Sequence, residues 1–505
     1  MDPNSHTSND GFDNSPFKHS SQSPKNSDDK TPRVVIIGAG LAGLLLAILL
    51  DKAGISYEIY ERASIVRPLG SILSLNANIL GAIDQIGLLD ELKAISFPAG
   101  NTKIMYENME VIATFDNSST DSEIGYDFLN FPRPKFHEML LSKVPAEKIH
   151  YNKKVVSTVQ NNGGVMIHCA DGTSYHGDIL VGADGAHSAV RQELYKTLQE
   201  QNLLPAHDTI EPSSGFLAMV GTTDPLDPEQ YPFLKSKTSN FSQVIERGTS
   251  FSWSELNVPE NRVCWVIISQ INSVEEHENK KFPNSEWGPE SNTELIDQVK
   301  NCKVPGGGTL GNLISATPEA NISKVFLEEK LFNTWSHGRT VLIGDAAHNL
   351  LPSAGQGAVC ALQDAVILAN CLYGLESLDR EAIHSACLDY KEQRYHYVSE
   401  MYGRSKINGI VLHGQTLKER IIRHVVLNWI PESLKLKEIR KGAAYRPMVT
   451  FLPPIPKRGK IDLLPQKPSE RYEREQKKKQ EEEALKIQSR VEDTSPVATL
   501  PVAAV

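Results

Sequence analysis

The run RVVIIGAGLAGLLLAILL, Arg33 to Leu50, carries glycines at 38, 40 and 43, the spacing of a phosphate-binding loop. Val34 to Ile37 is a short, β-branched apolar run of the kind that makes a buried parallel strand. Gly38 permits the tight turn, Gly40 lets backbone approach a pyrophosphate, and Gly43 lets helix and strand pack closely. The pattern predicts a helix over about residues 41–53, with its free N–H groups and positive dipole end aimed at the phosphates. A second strand over Tyr57 to Tyr60 ends on Glu61, 18 residues past Gly43. Dinucleotide sites place an acidic residue there for a ribose hydroxyl. A 2′-phosphate would be repelled by Glu61, so the motif favours FAD or NAD over NADP. The same run is too short for the roughly 20 residues a bilayer requires, and it lacks the basic flank of a signal peptide.

Two further glycine-anchored segments follow in order. One is DILVGADGAHSAVR, with Asp184, Gly185, Ser188 and Arg191. The other is GRTVLIGDAAHNLLPSAGQGAVCALQDA, with Gly344, Asp345, Pro352, Gly355 and Gly357. Thr340 to Ile343 reads as a strand and residues 358–372 as a helix starting at a glycine-rich turn, where an anion or polarised ring carbonyl would be stabilised. Asp345, at a strand end, can accept hydrogen bonds from ribityl hydroxyls. NAD has no ribityl chain and FAD has one, so the third segment selects FAD. The fold class is α/β: a Rossmann-like FAD-binding domain of the glutathione-reductase type, with an inserted β-sheet substrate domain and C-terminal helices.

These residues resemble the class A flavoprotein monooxygenases, the aromatic-hydroxylase-like FAD enzymes, and within them the fungal secondary-metabolite epoxidase and hydroxylase branch. The likeness spans about residues 33–402 and includes the stretch PRPKFHEMLL, whose Arg133 matches an arginine directed at the flavin. It implies that Glu61 and Arg62 hold the adenosine end while Gly38, Gly40 and Gly43 receive the diphosphate. Asp184 and Gly185 would sit near the diphosphate, Asp345 would take the ribityl chain, and Pro352, Gly355 and Gly357 would lie by the isoalloxazine ring. It further implies reduction by NAD(P)H as a transient co-substrate, addition of O₂ at flavin C4a to give a hydroperoxide, and hydroxylation or epoxidation of an aromatic or alkene-containing small molecule. One position departs from the pattern. Where some fungal relatives carry Tyr-Arg, this chain reads GFLAMVG, and Phe216 and Leu217 cannot donate the same hydrogen bonds. No protein-side acid or base is therefore assigned. The alternative is an FAD-dependent reductase or dehydrogenase acting on an isoprenoid-like substrate without O₂. A halogenase is disfavoured, because residues 61–70 hold no lysine and the chain has no WxWxIP segment.

Composition bounds the remainder. With 505 residues, 40% hydrophobic and 23% charged, the chain has the make-up of a large globular enzyme. A net charge of −10 argues against nucleic acid as a partner. Six cysteines without CxxC or zinc spacing read as reduced thiols in a cytoplasmic protein with no metal site. Cys360 is read as a packing residue, His348 and His187 as structural, and Ser188 as no nucleophile, since no GxSxG surrounds it. Residues 1–31 read as a disordered tail, 32–205 and 333–378 as the FAD-binding domain, and 206–332 as the β-rich substrate domain. Residues 379–452 read as helical and 453–505 as a charged, Pro-rich tail without the membrane anchor of some fungal relatives. Gly306 to Gly308 reads as a loop, having no strand before it. ERIIRHVVLNWIP puts Ile421, Ile422, Val425, Val426, Trp429 and Ile430 at helical spacing. A core-facing helix is the expectation there, and a membrane-surface helix the alternative.

Overall fold

The three glycine segments are brought together by neighbouring strands of one sheet. In the computed structural model, which describes residues 32–65, 70–117, 121–270, 292–414 and 416–493, a six-stranded sheet runs in a fixed order. The strands are Ser336–His337, Thr340–Leu342, Ile179–Gly182, Arg33–Ile37, Ser56–Tyr60 and Ile149–His150. The three central strands are parallel, and their ends fall in register, Ile37 beside Gly182 and Gly182 beside Leu342. Parallel strands present their carboxyl ends on one edge, which is where ligands of open α/β sheets bind. The predicted strand at 57–60 and helix at 41–53 are therefore found within a residue of their expected places, as Ser56–Tyr60 and α1 (Leu41–Lys52).

Helix α1 is apolar all round, and Leu41 to Leu50 are all buried. Such a helix needs cover on both sides. The sheet covers one side, and the C-terminal FAD-segment helix packs against the other. Helix α2 (Ala77–Gln85) is capped by Asn76, whose side chain accepts from Asn78 N–H at 3.0 Å. Helix α3 (Arg133–Leu141) begins within the PRPKF stretch, α4 (Ala189–Glu200) follows the DG segment, and α5 (Gly357–Tyr373) is the long helix behind the GD segment.

The second large sheet has ten strands, and it is not confined to residues 206–332. Its order is His348–Asn349, Ser323–Leu331, Ser213–Thr222, Arg262–Gln270, Phe251–Val258, Ser239–Ile245, Phe97–Tyr106, Leu129–Pro132 and Ile72–Leu75, with Val111–Asp116 paired on Phe97–Tyr106. The insert alone would leave Ser239–Ile245 as an open edge, a liability for any sheet. Phe97–Tyr106 closes that edge by pairing in parallel, so residues 72–132 contribute four strands of this wall beside the insert's five.

After α5 come α6 (Arg380–His413), α7 (Leu417–Asn428), α8 (Glu432–Ala443) and α9 (Glu470–Asp493). The core-facing expectation for α7 is overturned. Leu417 is 74% exposed, Ile421 56% and Trp429 71%, while the buried residues of the helix are Arg423 and Leu427. Arg423 sets this orientation: its guanidinium donates to Val411 O at 2.7 Å and to Gly414 O, satisfying carbonyls at the end of α6 that have no helical partner. The face that carries Arg423, Val426 and Leu427 is turned inward against Ile104, Ile245 and Val411, and Leu417, Ile421, Val425 and Trp429 go out.

The Pro-rich stretch before α9 is partly a packing element. Gln85 Nε2 donates to Val449 O at 2.9 Å and Pro453 O at 3.0 Å, and Val449 and Phe451 are buried. The 1–31 tail and residues 494–505 lie outside the described residues. Among the described residues, no helix is long and apolar enough to cross a membrane.

Candidate active site

A Cβ added at Gly38 (φ +105°) would come within 2.5 Å of Ala183 O, and one at Gly43 would run onto the Gly38 carbonyl. These two glycines therefore serve packing: they bring α1 and the DG segment against the turn. Gly40, Gly185, Gly355 and Gly357 are different. An added Cβ finds nothing within 4 Å at the last three, and at Gly40 meets only Ala183 O at 3.9 Å. All four line a cavity of about 620 Å³, together with Arg133, Asp345 and Pro352. Glycine next to open space is what close approach of a ligand requires.

Ala39, between the first two glycines, is gripped from both sides. Its N–H donates to Glu61 Oε2 at 2.9 Å, and its carbonyl accepts from His137 Nε2 at 2.7 Å. Burial lowers the His137 pKa, and neighbouring Arg133 lowers it further, so the ring is a neutral donor. Glu61 Oε1 also accepts from Ala63 N–H at 2.9 Å, so its carboxylate organises the turn after the second strand. Neither Glu61 nor the exposed Arg62 is among the cavity-lining residues.

Arg133 and Asp345 face the cavity from opposite segments. The Arg133 backbone N–H donates to Ser71 O at 2.7 Å, and its side chain lies over Gly70 (φ +104°), where a Cβ would come within 2.9 Å of Arg133 Cδ. Enclosure by protein raises the Asp345 carboxyl above its ordinary range, and His348 and Arg133 pull it back. The same enclosure lowers Arg133, which Asp345 counters. A cation and an anion lining one cavity suit a ligand with both acceptors and hydroxyl donors.

Asp184 does not reach the cavity. Its carboxylate accepts from Ser188 Oγ at 2.5 Å and from Ala189 N–H at 2.7 Å, capping α4, while its neighbour Gly185 lines the space. Arg191 ties the second segment to the third: it donates to Ala186 O at 2.5 Å and Ala346 O at 3.0 Å, with its guanidinium 4.3 Å above the Phe332 ring.

Behind Gly344 lies a buried network that sequence reasoning missed. Asp364 accepts from Gly344 N–H at 2.9 Å, His348 Nε2 at 2.6 Å and Arg394 Nε at 2.7 Å, and all three side chains are fully buried. Burial would raise the Asp364 carboxyl, but His348 and Arg394 outweigh it and hold it below the usual carboxylate range. His348 is thus structural, as expected. Cys360, in the first turn of α5, is fully buried with its thiol pushed up to about 12, a packing residue and not a reactive one. The Gly306–Gly308 run is a turn whose Gly306 N–H donates to the buried Glu255.

The far wall of the cavity is the large sheet. Asn130, Gln243 and Ser254 give it polar points among Leu73, Phe241 and Ile268. His413, at the end of α6, joins them: Ser252 Oγ lies 2.7 Å from its Nδ1, and Phe216 packs edge-on at 5.7 Å. Burial and Arg423 lower the His413 pKa to about 3.

The sequence profile of the FAD binding domain matches residues 31–211 and 311–405. The chain belongs to that family. It is an FAD-dependent monooxygenase, with FAD as its cofactor. Among its relatives is the FAD-dependent monooxygenase atmM of Aspergillus flavus, 26% identical over 442 residues, which cover 85% of this chain and 88% of that one. Another is the FAD-dependent monooxygenase ausM of Emericella nidulans, 28% identical over 445 residues, 84% of this chain and 88% of that one. The fold is that of Klebsiella pneumoniae HpxO in complex with FAD and uric acid, with a TM-score of 0.65, 19% identity, and coverage of 82% of this chain and 97% of that one. For the FAD-dependent monooxygenase described here, the glycine-lined space between Gly40, Gly185 and Gly355 fits a dinucleotide cofactor.

Proposed function

We propose that this enzyme uses NAD(P)H and O₂ to hydroxylate or epoxidise an aromatic or alkene-containing small molecule. The observation that carries the reading is one continuous cavity whose near wall is Arg133, Asp345 and the Gly355–Gly357 turn, and whose far wall is the sheet residues Gln243, Ser254 and Ile268. A cofactor and a substrate would share that space. FAD, when bound, supplies the redox chemistry, taking a hydride from NAD(P)H and activating O₂ for transfer of one oxygen atom.

The chain's own residues bind, orient and exclude water. Gly40 would receive the diphosphate at the N-terminus of α1, in a turn that Gly38 and Gly43 allow to pack tightly, Gly185 would lie beside it, and Glu61 and Arg62 would hold the adenosine end. Asp345 would accept from ribityl hydroxyls, with Arg133 opposite. Pro352, Gly355 and Gly357 would lie by the ring. Gln356, at the start of α5, makes no side-chain cap, which leaves the first N–H groups of that helix for a ring carbonyl. The apolar residues of the far wall would keep water from the reacting atoms.

The deciding experiment compares NAD(P)H oxidation in air and under argon with a substrate that stimulates turnover. A monooxygenase consumes O₂ and places one of its atoms in the product. Sustained product formation under argon would favour the O₂-independent reductase instead.

His413 is the substrate-facing group with a defined chemistry. With its pKa depressed to about 3, it is a neutral imidazole at any working pH, so it serves as a hydrogen-bonding group and not as a general acid. Nδ1 is engaged by Ser252, which leaves Nε2 for a substrate hydroxyl in either tautomer. His413→Phe is expected to raise KM roughly 2- to 10-fold, the range of one lost hydrogen bond, with flavin content unchanged. An unaltered KM would remove His413 from the substrate site.

A further inference from the structure

Helix α7 turns Leu417, Ile421 and Val425 toward solvent. At about 100° per residue, Leu417, Ile421, Val425 and Asn428 run down the middle of the outward side, while Lys418 and Arg420 fall on its two flanks. Leu417 and Ile421 are 74% and 56% exposed, and Trp429, at the end of the helix, 71%. Leu434 and Ile439 of α8 are also more than half exposed. Four large exposed apolar side chains on consecutive turns are not the scattered singles of an ordinary surface.

We propose that the outward side of α7 docks on an anionic lipid surface. Charge favours that occupant. Residues 416–441 hold seven Lys and Arg against three Glu in a chain whose net charge is −10; Arg423 is buried and Arg440 and Lys441 pair with Glu123 and Glu400, so the flanking charge of the stripe comes from Lys418 and Arg420. A basic patch on an acidic protein is local complementarity, since the whole molecule would be repelled by anionic lipid. An apolar stripe bordered by Lys and Arg, with a Trp at one end, has the make-up of a helix lying in the headgroup plane. A second copy of this chain is the poorer fit. A two-fold interface would bury these basic flanks against a face of the same positive charge, where like charges oppose docking. The helix is also fixed in this attitude by Arg423, whose hydrogen bonds to Val411 O and Gly414 O keep the stripe outward. Helix α7 begins four residues after His413, a cavity-lining residue, so a docked bilayer would lie beside the substrate wall and a lipophilic substrate would have a short way in.

The test is co-sedimentation of the full-length, FAD-loaded enzyme with vesicles of phosphatidylcholine alone and of phosphatidylcholine with phosphatidylserine in equal parts. The enzyme is expected to pellet with the anionic vesicles and to be released as salt is raised. Ile421→Ser/Trp429→Ser and Lys418→Glu/Arg420→Glu should each weaken binding about tenfold or more, while flavin content and NAD(P)H oxidation in detergent-free buffer stay at the parent level. Failure to pellet with anionic vesicles would overturn the proposal. So would undiminished pelleting of the Ile421→Ser/Trp429→Ser variant. A dimer in solution that this variant dissociates would also overturn it, assigning the face to a second copy. None of these outcomes bears on the flavin chemistry, which the oxygen experiment tests separately.

Discussion

Asp345→Ala is expected to purify almost colourless. Asp345 stands at the carboxyl end of the strand Thr340–Leu342, opens onto the cavity and has Arg133 as its electrostatic counterpart. Each hydrogen bond from a cofactor hydroxyl to a carboxylate contributes about 1.5–3 kcal/mol. Losing one therefore weakens FAD binding roughly 10- to 100-fold, and losing two would empty the site at ordinary working concentrations. The truncation also leaves Arg133 without the negative charge that opposes its desolvation. Asp345→Asn separates the two effects. The amide oxygen still accepts a hydrogen bond but carries no charge, so this variant should retain part of its flavin. Visible absorbance of purified protein, read against FAD released on denaturation, checks both variants. Full occupancy in Asp345→Ala would remove Asp345 from the cofactor site.

How much of this was legible in the sequence depends on the range over which each signal acts. The strand–turn–helix at residues 33–52 is local: β-branched residues, glycine spacing and a helix start all lie within one window, and the structure places them as the spacing predicts. The meeting of Gly40, Gly185 and Gly355 on one cavity was legible from motif order, because each segment ends a strand of the same parallel sheet. The outward turn of α7 was not. Its apolar periodicity is that of a core helix, yet with Arg423 bonded to the end of α6 it is Leu427 that joins a core with Ile104, Ile245 and Val411, while Leu417, Ile421 and Trp429 face out. Such a contact has no signature in spacing. His137 was equally silent: it marks a helix in PRPKFHEMLL, and its grip on Ala39 spans 98 residues of sequence. Asp184 teaches the opposite lesson, since the motif placed it at the cofactor while its carboxylate caps α4 and only Gly185 lines the cavity.

The second large effect is on stability. Asp364→Asn is expected to destabilise the enzyme by roughly 3–5 kcal/mol, the usual result of removing one partner from a buried ion pair. Asp364 and Arg394 are both fully buried, and Arg394 is tied further to Cys360 O at 3.1 Å and the Tyr445 hydroxyl at 3.0 Å. The variant leaves this cation without a counter-charge and weakens the hold on Gly344 and His348, which position Asp345. Because the folded-state pKa of Asp364 is depressed, its contribution is present above the ordinary carboxylate range. It is lost only as pH falls through the lower, folded-state value. In the parent, acid unfolding should therefore carry this group's protonation, and the Asn variant should show a shallower acid limb as well as a lower plateau. A double variant, Asp364→Leu with Arg394→Met, distinguishes a buried charge left unpaired from a lost structural strut. Removing both charges should recover a substantial part of the stability if the unpaired guanidinium is the main cost. If the double variant is no more stable than Asp364→Asn, the destabilisation comes instead from the lost hydrogen bonds to Gly344 and His348. Urea midpoints at neutral pH and at two acidic values, measured with FAD in excess so that cofactor loss does not enter the comparison, discriminate the two.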